Sequence, residues 1–302
     1  MIQKNKDYCP FYRYIKKPVG FLKDSNENGW DPGQHFGLDS EQWQGLDIAK
    51  YFQRAFFSSN SNVYPEDESS LLRFYRFVLK NVTDKNKKIL SIGCGMAGLE
   101  MKLLQEGYSV VCSDLKIYPF HHFLKKLFPE SRFLEIDMFH PQQLEELFDV
   151  VIMTGVLGYC SPENLQRLFQ ILSGFLKKNG EIIVDDLVSP PSFWADFFYE
   201  KWYPVEATII NFYSWLFGRF WRLYKKQASW RYTTDFFVGK ARESGFQLKK
   251  MGIEFFHRDF LYRFYTTRLI TKMIGTKNAL YFFSKLGRVL NLPYRIFHFK
   301  EA

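Results

Sequence analysis

Two glycines and one carboxylate carry the clearest chemical signal in the chain. Gly93 and Gly95 stand in the run Ser91-Ile92-Gly93-Cys94-Gly95-Met96-Ala97-Gly98, directly after an apolar stretch. Asp114 follows 21 positions after Gly93, at the end of a second apolar stretch. Glycines at such a turn let the backbone reverse sharply and let a ligand reach the main chain with no Cβ in the way. A helix beginning just beyond offers unpaired N–H groups to an anionic moiety. A carboxylate at this spacing can accept both hydroxyls of a ribose. These residues point to a nucleotide-type ligand, and taken alone they fit NAD as well as any other.

The remaining reactive side chains are scattered. Four cysteines at 9, 94, 112 and 160 form no Cys-x-x-Cys pair, and the six histidines do not cluster. Neither a disulfide framework nor a metal site is expected, and a reducing, cytoplasmic setting fits. Cys94 reads as a small buried residue beside the glycine loop. His121 and His122 read as helix residues, whereas His257, between Phe256 and Arg258, is the histidine best suited to act as a base.

Such residues need a scaffold that brings strand ends together. Glu66 to Asn81 carries Leu71, Leu72, Tyr75, Val78 and Leu79 at helical spacing. Strand-length apolar runs then fall at 88–93, 109–113, 132–136, 148–154 and 181–187. Helical segments alternate with them at 99–106, 120–128 and 162–176, and Lys177-Lys178-Asn179-Gly180 reads as a turn. This alternation predicts a doubly wound α/β sheet, mostly parallel, and continuous apolar runs suit strands buried on both faces. Residues 189–232 break the rhythm; a helix at 234–244 and strands at 246–252 and 255–264 resume it. Residues 1–65 read as an irregular or partly helical lead segment, and 266–302 as a basic tail.

Placed in this order, the motifs resemble the class I S-adenosylmethionine-dependent methyltransferases over residues 66–188 and 233–265. ILSIGCG is similar to that family's first motif, and GYSVVCSDL to its second strand with the ribose-binding acid. FLEIDMF is similar to the third strand, and FDVVIMTGVLGYC with LKKNGEIIVDD to the fourth strand and the turn into the fifth. The resemblance implies a seven-stranded Rossmann-like sheet, residues 66–188 binding the cofactor, with an aromatic-rich helical insertion after the fifth strand. It implies S-adenosylmethionine as cofactor, held by Ser91, Gly93, Cys94, Gly95, Asp114, Leu115, Asp137, Met138 and Thr154. Asp137 would meet the adenine amino group and Met138 would line the ring. Two positions depart from the pattern. Ser91 replaces an acid that usually helps hold the methionine part, and Ala97 replaces a third glycine.

Methyl transfer from a sulfonium calls for alignment and exclusion of water more than for covalent help. An acceptor enters beyond the carboxyl ends of the strands, where Thr154, Tyr159, Asp185 and Asp186 stand. Tyr159, as a pocket wall, and His257 are the catalytic candidates. The segment 192–232 holds 16 aromatics in 41 positions, and residues 215–302 carry 18 basic against 5 acidic side chains. Three readings fit this composition: an apolar acceptor pocket, a face resting on an anionic membrane through Arg219, Arg222, Lys225 and Lys226, or a helical subdomain with its own core. No stretch offers the roughly 20 apolar residues a membrane span needs. No nucleic-acid module is visible, so nucleic acid is not an expected partner. The expected activity is O-methylation of a hydrophobic or lipid-linked small acceptor. An NAD(P)-dependent oxidoreductase and a non-catalytic, methyltransferase-like membrane- or partner-binding protein are the alternatives.

Overall fold

The computed structural model describes residues 8–17, then 70–186 apart from 96, 116, 118–120, 123, 126–127 and 141–143, and 197–202, 223–254 and 294–302, with isolated positions between 205 and 286. The elements are β1 (Tyr8–Lys17), α1 (Ser70–Asn81), β2 (Lys88–Ile92), α2 (Gly98–Gln105), β3 (Ser109–Asp114), β4 (Arg132–Glu135) and β5 (Phe148–Thr154). A 3-10 turn (Leu157–Tyr159), α3 (Pro162–Gly174), β6 (Leu176–Asp186) and a π-helical turn (Phe197–Trp202) follow. The last elements are β7 (Leu223–Tyr232), α4 (Thr234–Glu243), β8 (Phe246–Glu254) and β9 (Tyr294–Glu301).

Seven strands form one sheet in the order β4-β3-β2-β5-β6-β9-β8. β9 alone runs against the others, pairing antiparallel with both β6 and β8. The central strands are buried on both faces, which their unbroken apolar runs require. One core holds Leu90, Val151, Ile182 and Phe297 with α3 and α4; the other holds Ile89, Ile152, Ile183 and Ile296 with α1 and α2. In the first, Phe169 packs on Phe237, Phe246 and Phe299 with ring centroids 5.4–5.9 Å apart. Helix starts follow capping chemistry: Pro162 opens α3, and Thr233 Oγ1 accepts the Phe236 N–H at the start of α4.

Four expectations are corrected. The basic tail ends in β9, whose Ile296, Phe297 and Phe299 are buried, so its last residues belong to the core. The lead segment contains a strand, and the aromatic insertion ends in one: β1 and β7 pair antiparallel from Tyr8↔Tyr232 to Lys17↔Leu223. That ladder joins residues over 200 positions apart and leaves no local signal. Finally, Lys177–Gly180 lies inside β6 as an irregularity. Asn179 takes a φ of 63°, and the register with β5 jumps from Phe148↔Leu176 to Val150↔Glu181. The turn chemistry is present, but the chain bulges and continues. Residues 66–69 and the expected strand at 255–264 lie outside the described residues.

Candidate active site

The glycine loop links β2 to α2 through three left-handed residues: Gly93 at φ 70°, Gly95 at 53° and Ala97 at 54°. At Ala97 that conformation costs roughly 1–2 kcal/mol, which a glycine would avoid. Neighbouring elements hold the loop. Cys94 N–H donates to Ser113 O at 2.9 Å, Gly95 N–H to Asp114 Oδ2 at 2.8 Å, and Ala97 N–H to Cys94 O at 2.8 Å. The other Asp114 oxygen accepts the Leu115 N–H at 2.7 Å. Asp114 thus stands against the loop, as its spacing predicts. Gly93 and Gly95 face different surroundings. A Cβ on Gly93 would sit 2.3 Å from Val156 Cγ2, whereas one on Gly95 would meet no atom within 4 Å. The inner glycine packs on the turn after β5, and the outer one borders open space that a ligand can occupy.

Under the loop lies a buried polar layer. The Ser91 hydroxyl donates to Glu100 Oε1 at 2.5 Å, and both residues are 1% exposed. A carboxyl group therefore does stand beside position 91, but it comes from α2 and is buried under the loop. Burial pushes the Glu100 pKa up to about 7, against the opposing pull of the Ser91 hydrogen bond. His121 is also buried; its Nε2 lies 2.8 Å from Gly95 O, and its ring stacks on Phe133 at 4.6 Å. A carbonyl accepts only, so Nε2 carries the proton, and burial holds the imidazole below its usual range. The Cys94 thiol is pushed well up by its hydrogen bond with Cys112 and by burial, which disfavours the thiolate.

Glu100 was not singled out in the sequence, and His121 was read only as a helix residue, whereas it is buried against the glycine loop. An acid in the first turn of a helix reads as a surface complement to the dipole, and only the fold shows that it is buried.

The other candidates fall into two groups. Toward β4, Ile136 N–H donates to Asp114 O at 2.9 Å, bringing Asp137 and Met138 near the loop. Asp137 serves its own turn: Oδ1 accepts the Phe139 N–H at 2.9 Å and Oδ2 lies 2.6 Å from His140 Nδ1. These contacts, the backbone one foremost, hold its pKa below the usual range. Met138 is buried, and Leu115 is 61% exposed. Toward β6, Thr154 Oγ1 donates to Asp185 Oδ2 at 3.1 Å, while Gly155 N–H donates to Asp185 O. Tyr159 is 47% exposed on the turn that Val156 presses against Gly93. His257 lies outside the described residues.

Residues 89–180 match a family model described as a methyltransferase domain. The matched stretch is less than half of the chain and contains the glycine loop and Asp114, so a methyltransferase domain stands where the candidate site does. No curated protein is matched by its sequence. Among solved structures it is similar to a Burkholderia thailandensis 1,6-didemethyltoxoflavin-N1-methyltransferase, at 13% identity and TM-score 0.52, covering 96% of both chains. It is also similar to the cyclopropane synthase MmaA2 from Mycobacterium tuberculosis, at 14% identity and TM-score 0.52, over 86% of this chain and 95% of that one. The [4+2]-cyclase SpnF matches at 13% identity and TM-score 0.53, with the same coverage. Likeness at this identity establishes the fold, and the variety of these names shows that the fold does not dictate the acceptor. In this methyltransferase the acceptor must be argued from the carboxyl edge of the sheet.

Proposed function

We propose that this methyltransferase transfers a methyl group to an oxygen of a hydrophobic or lipid-linked acceptor. The observation that carries the cofactor half is the Gly95–Asp114 contact, with open space beside Gly95. These residues fit S-adenosylmethionine: a backbone a ligand can approach, and a strand-end carboxylate whose oxygens each accept one backbone N–H. Each oxygen has further acceptor capacity for a ribose hydroxyl. When bound, the cofactor supplies an activated methyl group with its leaving group built in. Asp114 would hold the ribose, Met138 and Leu115 would flank the base, and the Gly93–Ala97 backbone would shape the remainder. The tight Gly93–Val156 packing joins cofactor and acceptor sides, so that positioning is the main contribution of the protein. Thr154 orients the buried Asp185 carboxylate at that junction, and Tyr159 serves as a wall.

An apolar acceptor is supported by where large hydrophobic side chains remain exposed. Val205, Ile209 and Phe212 follow one another at helical spacing, and Met273, Ile274, Tyr281 and Phe282 are exposed as well. Lys285 stands over the Tyr281 ring at 4.5 Å, a cation beside apolar surface. Among the described residues no helix is long and apolar enough to cross a membrane.

Replacing Asp114 tests the cofactor assignment. Asp114→Ala removes charge-assisted hydrogen bonds of roughly 1.5–3 kcal/mol in total, and S-adenosylhomocysteine affinity should fall about 10- to 100-fold. Circular dichroism should stay close to wild type, with a modest fall in melting temperature from the lost Gly95 and Leu115 N–H contacts. An unchanged dissociation constant would show that the motif is misassigned.

A further inference from the structure

Buried donors in folded proteins almost always meet an acceptor. Arg295 departs from this: its Nε and Nη1 are shielded from solvent and have no hydrogen-bond partner. The residue opens β9, in register with Asp186 of β6 and Ile253 of β8. Because β9 runs against β6, its beginning lies at the carboxyl end of the parallel strands, level with the Thr154–Asp185 pair. Acceptors enter folds of this kind at that edge.

Strand alternation puts Arg295 on the same sheet face as Phe297, whose ring packs on Phe237 of α4 at 4.9 Å. At the start of α4, Thr234 Oγ1 is a second buried polar atom without a hydrogen bond. Asp235, the next residue, acts on Arg295 through its charge but does not hydrogen-bond the two buried nitrogens. Arg295 as a whole keeps partial exposure. Burial of an uncompensated guanidinium is costly, and an oxyanion turns that cost into charge-assisted hydrogen bonds. Consistent with this, burial pulls the guanidinium below its usual range, opposed by Asp235.

We propose that Arg295 seats an oxyanion, a carboxylate or phosphate carried by the methyl acceptor, at the carboxyl edge of the sheet. The inference rests on the methyltransferase reading above and narrows its acceptor from an apolar molecule to an apolar anion.

Calorimetric titration of the full chain with octanoate, octyl phosphate and octanol at matched ionic strength tests it. S-adenosylhomocysteine is titrated separately. Wild type should bind octanoate or octyl phosphate more tightly than octanol, and the preferred anion tells carboxylate from phosphate. Arg295→Gln should weaken the anion roughly tenfold or more while leaving S-adenosylhomocysteine unchanged. Asp235→Asn, at an exposed helix position, should tighten the anion by removing a competing charge. An octanol preference in wild type, or anion affinity unmoved by Arg295→Gln, overturns the proposal. If Arg295→Gln does not fold, Asp235→Asn decides alone, and unchanged anion affinity there overturns it. Failure of wild type to bind S-adenosylhomocysteine would instead strike the methyltransferase reading, whatever the anion data show.

Discussion

Glu100 is a carboxyl buried where its type is usually exposed, and its titration is measurable. Its pKa rises from 4.5 to about 7 on folding, so the folded state holds its proton more tightly. The stability this contributes is full below pH 4.5 and is lost as pH rises through about 7. The shift corresponds to on the order of 3 kcal/mol, an upper figure. Glu100→Gln keeps an acceptor for Ser91 and does not ionise. Relative to wild type it should therefore gain stability between pH 5 and 8, read as the difference between two melting-temperature profiles. Parallel profiles would mean that Glu100 does not titrate in this range. His121 works with the opposite sign: its lowered pKa makes stability fall as pH drops below about 6.5. At this scale the sequence revealed the residues whose signal is spacing, namely Gly93, Gly95 and Asp114. It concealed Glu100 and the buried position of His121, because burial beneath a loop arises from tertiary packing and leaves no mark on neighbouring positions.

Among the elements, β9 settles how the final segment is built. Phe297 is fully buried between α4 and the sheet, while Lys300 is exposed three pairs further along β9. Phe297→Ala should cost about 3–5 kcal/mol in denaturant unfolding, and Lys300→Ala within about 0.5. Equal, small effects would mean that residues 294–301 are a tail after all. The central strands were legible because strands buried on both faces read as continuous apolar runs. β9 was not, since Arg295, His298 and Lys300 alternate with apolar residues inside a basic stretch. The β1–β7 ladder was hidden for a related reason: each strand holds basic side chains, and its partner lies at the other end of the sequence.

For the whole molecule, charge and exposed apolar surface point the same way. Residues 215–302 carry 18 basic and 5 acidic side chains, and residues 1–214 carry 23 and 27. Each basic residue near an anionic surface adds about 1 kcal/mol, an attraction that salt weakens. Replacing Arg219, Arg222, Lys225 and Lys226 by Gln should reduce sedimentation with phosphatidylserine vesicles at low salt and leave S-adenosylhomocysteine binding intact. Wild type that ignores such vesicles would end the membrane version and leave a soluble apolar acceptor. The central claim concerns the cofactor. Calorimetric titration of wild type with S-adenosylmethionine, S-adenosylhomocysteine and NADH in parallel tests it most directly. The account predicts saturable binding of the first two, weakened by Asp114→Ala, and none of NADH; binding of NADH alone would contradict it.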